Sequence, residues 1–163
     1  MKKTVKIMLY VFFGVYCLAL IYLFFIKGRY YSEDTIGFYF SQSNFVPFKS
    51  VCTYISKLTA DRINLDIVIR NIAGNLIVLF PMGCFLPCMF RFCRKLKSTL
   101  SVCFAVVLAV EVLQPLLRVG FLDVDDIIFN LAGAGLGFLF VNIPFVNRQL
   151  KKTYIYTEST TVL

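Results

Sequence analysis

The 163-residue chain contains no histidine. That absence removes His-activated nucleophiles, phosphohistidine intermediates and imidazole ligation of metals. Acidic residues are scarce too, nine against seventeen Lys and Arg, for a formal charge of +8. In a soluble domain such an excess would raise nucleic-acid binding. Here the cations sit in short polar stretches beside apolar runs, which is a topogenic pattern, and no nucleic-acid partner is expected. Nor do the six cysteines form a disulfide framework: Cys17, Cys84, Cys88 and Cys103 fall in apolar runs, Cys93 in a basic loop and only Cys52 in the long first loop. Cys84 and Cys88 share a helical face, yet two thiols without histidine make a poor zinc site, and the expected role is that of small buried hydrophobes. No repeat or low-complexity tract divides the chain, which reads as one domain over 1–163.

What the chain has in excess is apolar surface. Hydrophobic residues make up 59% and the mean hydropathy is +0.78, against about 45 to 50% apolar in soluble domains. Crossing a bilayer core of ~30 Å takes about 20 apolar residues, and residues 7–26 supply such a run without a charge. A signal peptide has a shorter apolar region and a small-residue cleavage site; Phe24, Phe25, Ile26 and Lys27 offer none, so the run is read as a first transmembrane helix. Three more spans follow at about 71–90, 99–117 and 127–146, joined by the short connections 91–97 and 118–126. Short connections force consecutive spans to pack antiparallel. The expected fold is an all-α integral membrane protein, an antiparallel bundle of four transmembrane helices.

Ten of the cations, Lys2, Lys3, Lys6, Arg91, Arg94, Lys95, Lys97, Arg148, Lys151 and Lys152, gather on one side; the other side holds the remaining seven and seven of the nine acids. The positive-inside rule then places both termini, including a tail over 147–163, in the cytoplasm, and the loop over 28–70 outside. That loop is too long for a bare connector. Its apolar cluster around Pro47 suggests a turn against the membrane or a cap on the bundle. Val51, Tyr54, Ile55 and Leu58 have helical spacing, which fits a short interfacial helix as well as it fits aromatic anchors in a solvated loop.

The unusual stretch runs over 111–137, where ionisable and amide side chains lie in or beside two apolar spans. A charge at the helix centre costs roughly 2.5 to 3.5 kcal/mol on insertion scales. At 1.5 Å per residue, Asn75 lies roughly 6 Å inside the outer face, Glu111 roughly 9 Å, Gln114 about 5 Å and Asn130 roughly 6 Å. Helical spacing puts Glu111, Gln114 and Arg118 on one face, Asp123, Asp126 and Asn130 on a second, and Asn71 and Asn75 on a third. These residues, with Asp125, form the expected ligand-binding set. Two readings stay open: a hydrogen-bonded network that pins helices together, or a ligand or ion path. Desolvation raises the Glu111 carboxyl pKa and a nearby Arg118 would lower it, so its charge state is undecided.

Glu111 and Asp126 are the candidate catalytic acids or bases, although no nucleophile accompanies them. Asp123, Asp125 and Asp126 with Glu111 could also offer oxygen ligands to a hard cation, but acids at a helix start equally suit the helix dipole; neither a metal nor another cofactor is expected. Pro115 deprives the Glu111 carbonyl of its amide, so a kink is expected there, and another at Pro81 and Gly83. Gly133 and Gly137 form a small-xxx-small pair that lets another helix approach closely, within the chain or from a partner, and Gly74 is expected to act likewise.

Taken as a set these residues resemble the VanZ-like family. Asn71-Ile-Ala-Gly-Asn75, then Phe80-Pro81-Met-Gly83 through Leu86-Pro87, is similar to its second-helix signature. Glu111-x-x-Gln114, Arg118, Asp123-x-Asp125-Asp126, Asn130 and Gly133 are similar to its second signature, and Asn44-Phe-Val-Pro47-Phe48 to its loop element. The resemblance implies a small bacterial plasma-membrane protein, similar to one associated with low-level resistance to teicoplanin-type glycopeptides, which act on lipid-linked cell-wall precursors. The partners to expect are then a membrane lipid, a lipid-linked cell-wall precursor or a lipid-tailed glycopeptide. In such a pocket Arg118 would meet an anionic group, and Asn75, Gln114 and Asn130 would supply amide hydrogen bonds.

Overall fold

The computed structural model describes residues 3–27, 34–60 and 62–152. Among them the chain is helical apart from turns and one isolated parallel bridge between Asn44 and Asp123. Helix α1 covers Lys3–Ile21 and continues as a π-helical turn, Tyr22–Ile26; α2 is Ile36–Ser41, α3 Lys49–Thr59, α4 Leu65–Met89, α5 Leu96–Leu116, α6 Val124–Asn142 and α7 Pro144–Lys152. Four helices are long and apolar enough to cross a membrane: Thr4–Ile26, Leu65–Met89, Leu96–Leu116 and Val124–Asn142.

The expected spans are present with shifted ends, each for a local reason. Helix α4 starts at Leu65 rather than 71. Asn64 supplies an extended N-cap residue, and Asp66 sits in the first turn, where the dipole favours an acid. Counting hydropathy stops at Arg70, but turns outside the lipid need not be apolar. Helix α6 ends at Asn142 rather than 146, because Pro144 lacks an amide and holds Ile143 extended at φ −55°, ψ 131°. Pro144 then opens α7, its favoured place in a helix. The expected tail thus begins as a helix, and residues 153–163 lie outside the described residues, as do 28–33 of the long loop. Helix α4 runs unbroken past Pro81 and Pro87.

In the long loop, the spacing of Val51, Tyr54 and Leu58 does correspond to a helix. These three are half-buried along α3, while Ile55 on the same stretch is exposed.

The closest packing joins α4 and α6. A Cβ placed on Gly133 would stand 1.9 Å from the Leu76 carbonyl oxygen, one on Gly137 2.0 Å from that of Phe80, and one on Gly83 2.0 Å from that of Ala134. The α6 face bearing Gly133 and Gly137 is therefore covered by the chain's own α4. Gly74, by contrast, has nothing within 4 Å. Asn75 meets Asp126 near the start of both helices and Cys84 meets Gly137 further along both, so these two neighbours run the same way. Helix α1 lies against them through Phe13 and Tyr16, whose rings meet Phe85, and through a Tyr16 hydroxyl bond to the Val78 carbonyl at 2.8 Å. Leu79, Cys103, Val107 and Ala134 are fully buried between the helices, whereas Val11, Phe12, Val15 and Leu18 line the exposed side of α1. A contiguous apolar exterior of this kind suits lipid rather than water.

Candidate functional site

At the end of the bundle where α4 and α6 begin and α5 stops, the long loop folds back over the helices. Asn44 N–H donates to the Leu122 carbonyl at 2.8 Å, and Val124 N–H to the Asn44 carbonyl at 3.0 Å. Ser43 Oγ accepts from Leu122 N, and Tyr39 stacks on Phe121 with ring centroids 5.2 Å apart. The segment before α3 is thereby fastened to the segment before α6.

The three aspartates occupy three different positions. Asp123 is the N-cap of α6, its Oδ1 accepting from Asp125 N at 2.9 Å. The same carboxylate accepts from Asn44 Nδ2 at 2.9 Å and from Ser50 Oγ. Asp125, 2% exposed, turns toward α3 and accepts from the amides of Phe48, Ser50 and Val51. Those donors belong to the N-cap residue and the first turn of α3, where no intrahelical acceptor exists. Phe48, the residue before the helix, has φ 63° and makes no side-chain cap, so Asp125 serves as the cap from 77 residues away. Asp126 accepts from Asn75 Nδ2, and its backbone carbonyl accepts from Asn130 Nδ2 at 2.8 Å.

Glu111 is 1% exposed, and its Oε2 accepts from Asp123 N at 2.9 Å. Gln114, 5% exposed, donates from Nε2 to the Phe24 carbonyl at 3.1 Å, reaching the π-helical turn of α1. Asn130 is wholly buried, and its Oδ1 is without a hydrogen-bond partner among the described residues. Asn75, Glu111, Gln114 and Asn130, the four in the depth estimate, lie at one end of the bundle together with Asp123, Asp125 and Asp126. Asn71 is exposed, its Nδ2 3.5 Å from its own helix's Ile67 carbonyl. It borders a narrow cleft with Tyr54 and Asp126, of about 10 Å³, which holds no more than about one water.

Arg118 does not share the face of Glu111 and Gln114. Helix α5 stops at Leu116, Arg118 N bonds back to the Pro115 carbonyl and Val119 N to that of Gln114, and Arg118 itself sits at φ 58°. This is a Schellman ending with an arginine where glycine is usual. The left-handed residue turns its side chain out of the helical row, and Arg118 is exposed. The expected helical face therefore ends one turn early.

A cavity of about 270 Å³ opens beside this network, walled by Gln42, Asn44, Ser50, Gln114, Asp123 and Asp126 with Phe121 and Leu122. Gln42, Asn44 and Ser50 escape a search for polar residues within spans because they lie in the loop. One signal was there: Asn44 three residues before Pro47 marks an Asx turn, formed here by Asn44 Oδ1 accepting Val46 N at 3.0 Å. Burial pushes the phenol of the neighbouring Tyr54 above its ordinary pKa, with Asp126, Asp123 and Asp125 pushing the same way. Among the described residues no group of three or more acids and thiols is placed to hold a metal.

Comparison with known proteins adds one match, a family described as VanZ/LLP1 over residues 13–145. No curated protein and no solved structure matches the chain.

Proposed function

As a chain that belongs to the VanZ/LLP1 family, this is a multi-pass membrane protein of VanZ type, and we propose that its polar cavity recognises the headgroup of a lipid-linked or lipid-tailed ligand at the outer leaflet of a bacterial cell membrane. The observation that carries the reading is the cavity: about 270 Å³ walled by six polar side chains at one end of four membrane-length helices. Buried polar groups are costly unless satisfied, and an open polar void beside them is more than a helix-pinning network requires. Successive spans alternate in direction in this reading. Support comes from α1 and α4, where Phe13 meets Phe85 while Tyr16 reaches Val78, and from α5 and α6, where Glu111 meets Asp123 while Leu100 nears Gly135. Both termini then lie with the basic turn at Arg91–Arg94 in the cytoplasm. A reporter fused at Lys95 should behave as cytoplasmic; extracytoplasmic activity there would reverse the orientation and move the cavity to the inner leaflet.

Through such a pocket the protein contributes to glycopeptide resistance of the teicoplanin type or to cell-envelope function. Gln42→Trp tests this without touching the hydrogen-bond network, since Gln42 is exposed at the cavity wall. The wild-type protein should purify with a bound lipid class that mass spectrometry detects, and the Trp variant without it; in a host where the protein confers resistance, teicoplanin susceptibility should rise with the substitution. Unchanged lipid content and unchanged susceptibility would end this reading.

A second reading, acid/base catalysis on a lipid-linked substrate, draws on Asp126, which walls the cavity, whereas Glu111 is engaged behind it by Asp123 N. Turnover by purified protein, abolished by Asp126→Asn, would favour it.

A further inference from the structure

At the end of the bundle opposite the cavity, α7 does not continue the line of α6. Ile143 breaks the helix at φ −55°, ψ 131°, and Leu150 packs against the buried pair Cys88 and Val141, beside Leu9 of α1 and Cys84 of α4. A straight continuation at 1.5 Å per residue would carry Leu150 about 12 Å beyond Asn142, out of reach of that pair. Helix α7 is therefore folded back across the end of the bundle, at the level where α4 and α6 stop and α1 starts. For spans of membrane length that level is the bilayer surface.

The helix has two unlike faces. Val146 and Leu150, four residues apart, are half-buried, whereas Phe145, Arg148 and Lys152, at helical spacing on the other side, are exposed, as is Lys151. At 72% exposure Phe145 is the barest large hydrophobic among the described residues. No Asp or Glu occurs over residues 3–27, 67–110 or 127–152, the stretches that build this end. The same level carries a second exposed ring among cations: Phe92, 62% exposed, lies in the turn after α4 with exposed Arg91 and Lys95. The positive-inside rule accounts for cations on one side of a membrane. It requires neither an ordered helix nor a phenylalanine set among them.

We propose that α7 binds anionic phospholipid headgroups at the bilayer surface, with Phe145 set into the acyl boundary and Arg148, Lys151 and Lys152 meeting the phosphates. An apolar ring at the interface and cations at headgroup level are what hold a helix in that plane. The charges select the lipid, each Lys or Arg near an anionic surface strengthening binding about fivefold. A zwitterionic headgroup carries its own cation and offers no net attraction. The inference depends neither on the cavity, which lies at the other end of the bundle, nor on which leaflet faces the cytoplasm.

The chain contains no tryptophan, so Phe145→Trp in the full-length protein places the sole indole on this face. In nanodiscs holding one copy each, its emission should be blue-shifted and quenched by brominated acyl chains when the lipid is an equal mixture of phosphatidylglycerol and phosphatidylcholine, and less so in phosphatidylcholine alone. High salt should reduce the difference. Equal emission in both lipids, or a water-like spectrum in both, overturns the proposal. A blue-shifted indole that brominated lipid does not quench lies under the chain's own residues beyond 152, and overturns it too. In native mass spectrometry from a maltoside detergent, the protein with its own Phe145 should prefer phosphatidylglycerol to phosphatidylcholine of identical acyl chains. Arg148→Gln, Lys151→Gln and Lys152→Gln together should lower the affinity of the tightest phosphatidylglycerol site about 100-fold and leave phosphatidylcholine binding unchanged. The same loss when Lys49, Lys57 and Arg62, exposed at the cavity end, are replaced by Gln instead would show net charge alone at work and overturn the assignment to α7.

Discussion

Replacing glycine by alanine at matched positions along α4 and α6 should give effects of opposite sign. At Gly133 an added Cβ stands 1.9 Å from the Leu76 carbonyl oxygen, whereas ordinary contact begins at 3.4 Å. The obstacle is backbone, which no rotamer change can move aside, so the helices must separate locally by about 1.5 Å. Between membrane spans there is little hydrophobic drive to resist separation, and van der Waals packing carries most of the association. A gap of ~0.5 to 1 Å already forfeits a quarter to a half of each contact. Gly133→Ala should therefore cost about 3 kcal/mol, the upper end of ordinary overpacking. The strain also reaches the Asn75 to Asp126 bond, which joins the same two helices. Gly74 has nothing within 4 Å, so Gly74→Ala adds no clash and should gain about 0.5 to 1 kcal/mol from helix propensity. Gly135, whose nearest neighbour would be Leu100 Cδ2 at 3.9 Å, should behave like Gly74. Unfolding by SDS titration in mixed micelles reads all three. Equal responses at Gly133 and Gly74 would refute the close approach of α4 and α6 as the basis of the bundle.

Three further outcomes are expected. Asp125→Ala strips the cap from α3 and should cost about 1 to 3 kcal/mol, seen as faster hydrogen exchange at the amides of Phe48, Ser50 and Val51; unchanged exchange would remove Asp125 from the cap. Glu111→Leu leaves Asp123 N without its acceptor and should cost about 1 to 3 kcal/mol, while Glu111→Gln, which keeps a carbonyl oxygen, should cost less; the reverse order in thermal unfolding would contradict the bond. The Tyr54 phenol, raised above its ordinary 10.0 first by burial and then by Asp126, Asp123 and Asp125, binds its proton more tightly folded than unfolded. Its contribution is complete below pH 10 and lost as pH rises past the raised value. Wild-type stability should then fall more than that of Tyr54→Phe above pH 10, and parallel curves would show that Tyr54 does not titrate in the folded protein.

The bundle is legible in the sequence because lipid imposes a length on every span, and that length cannot be disguised. Depth counting also brings Asn75, Glu111, Gln114 and Asn130 to a similar level. Helical spacing misplaces Arg118 on the face of Glu111 and Gln114 because nothing in the sequence marks the left-handed turn that follows the span: glycine usually signals such an ending, and here arginine adopts it. It passes over Asn44 and Ser50 because their partner Asp123 is 79 and 73 residues away. No periodicity in a loop encodes a contact of that range. The role of Asp125 as the cap of α3 is hidden for the same reason, since an acid at the start of α6 already has a sufficient local explanation in the helix dipole.

Helix α1 is the least buried of the four spans, and its hold on the rest of the bundle bears on the cavity. Near the end of a helix in lipid, carbonyls lack intrahelical donors and still need partners. The π-helical turn takes Lys27 N back to the Tyr22 carbonyl, and the Phe24 carbonyl receives its bond from Gln114 of α5 instead. The side chain that satisfies α1 is thus the one whose amide oxygen walls the cavity. π-Helical turns are uncommon and concentrate at functional sites, and this one has a physical reason for its position. It offers a carbonyl to the Gln114 amide, and so fixes against α1 a side chain that walls the cavity.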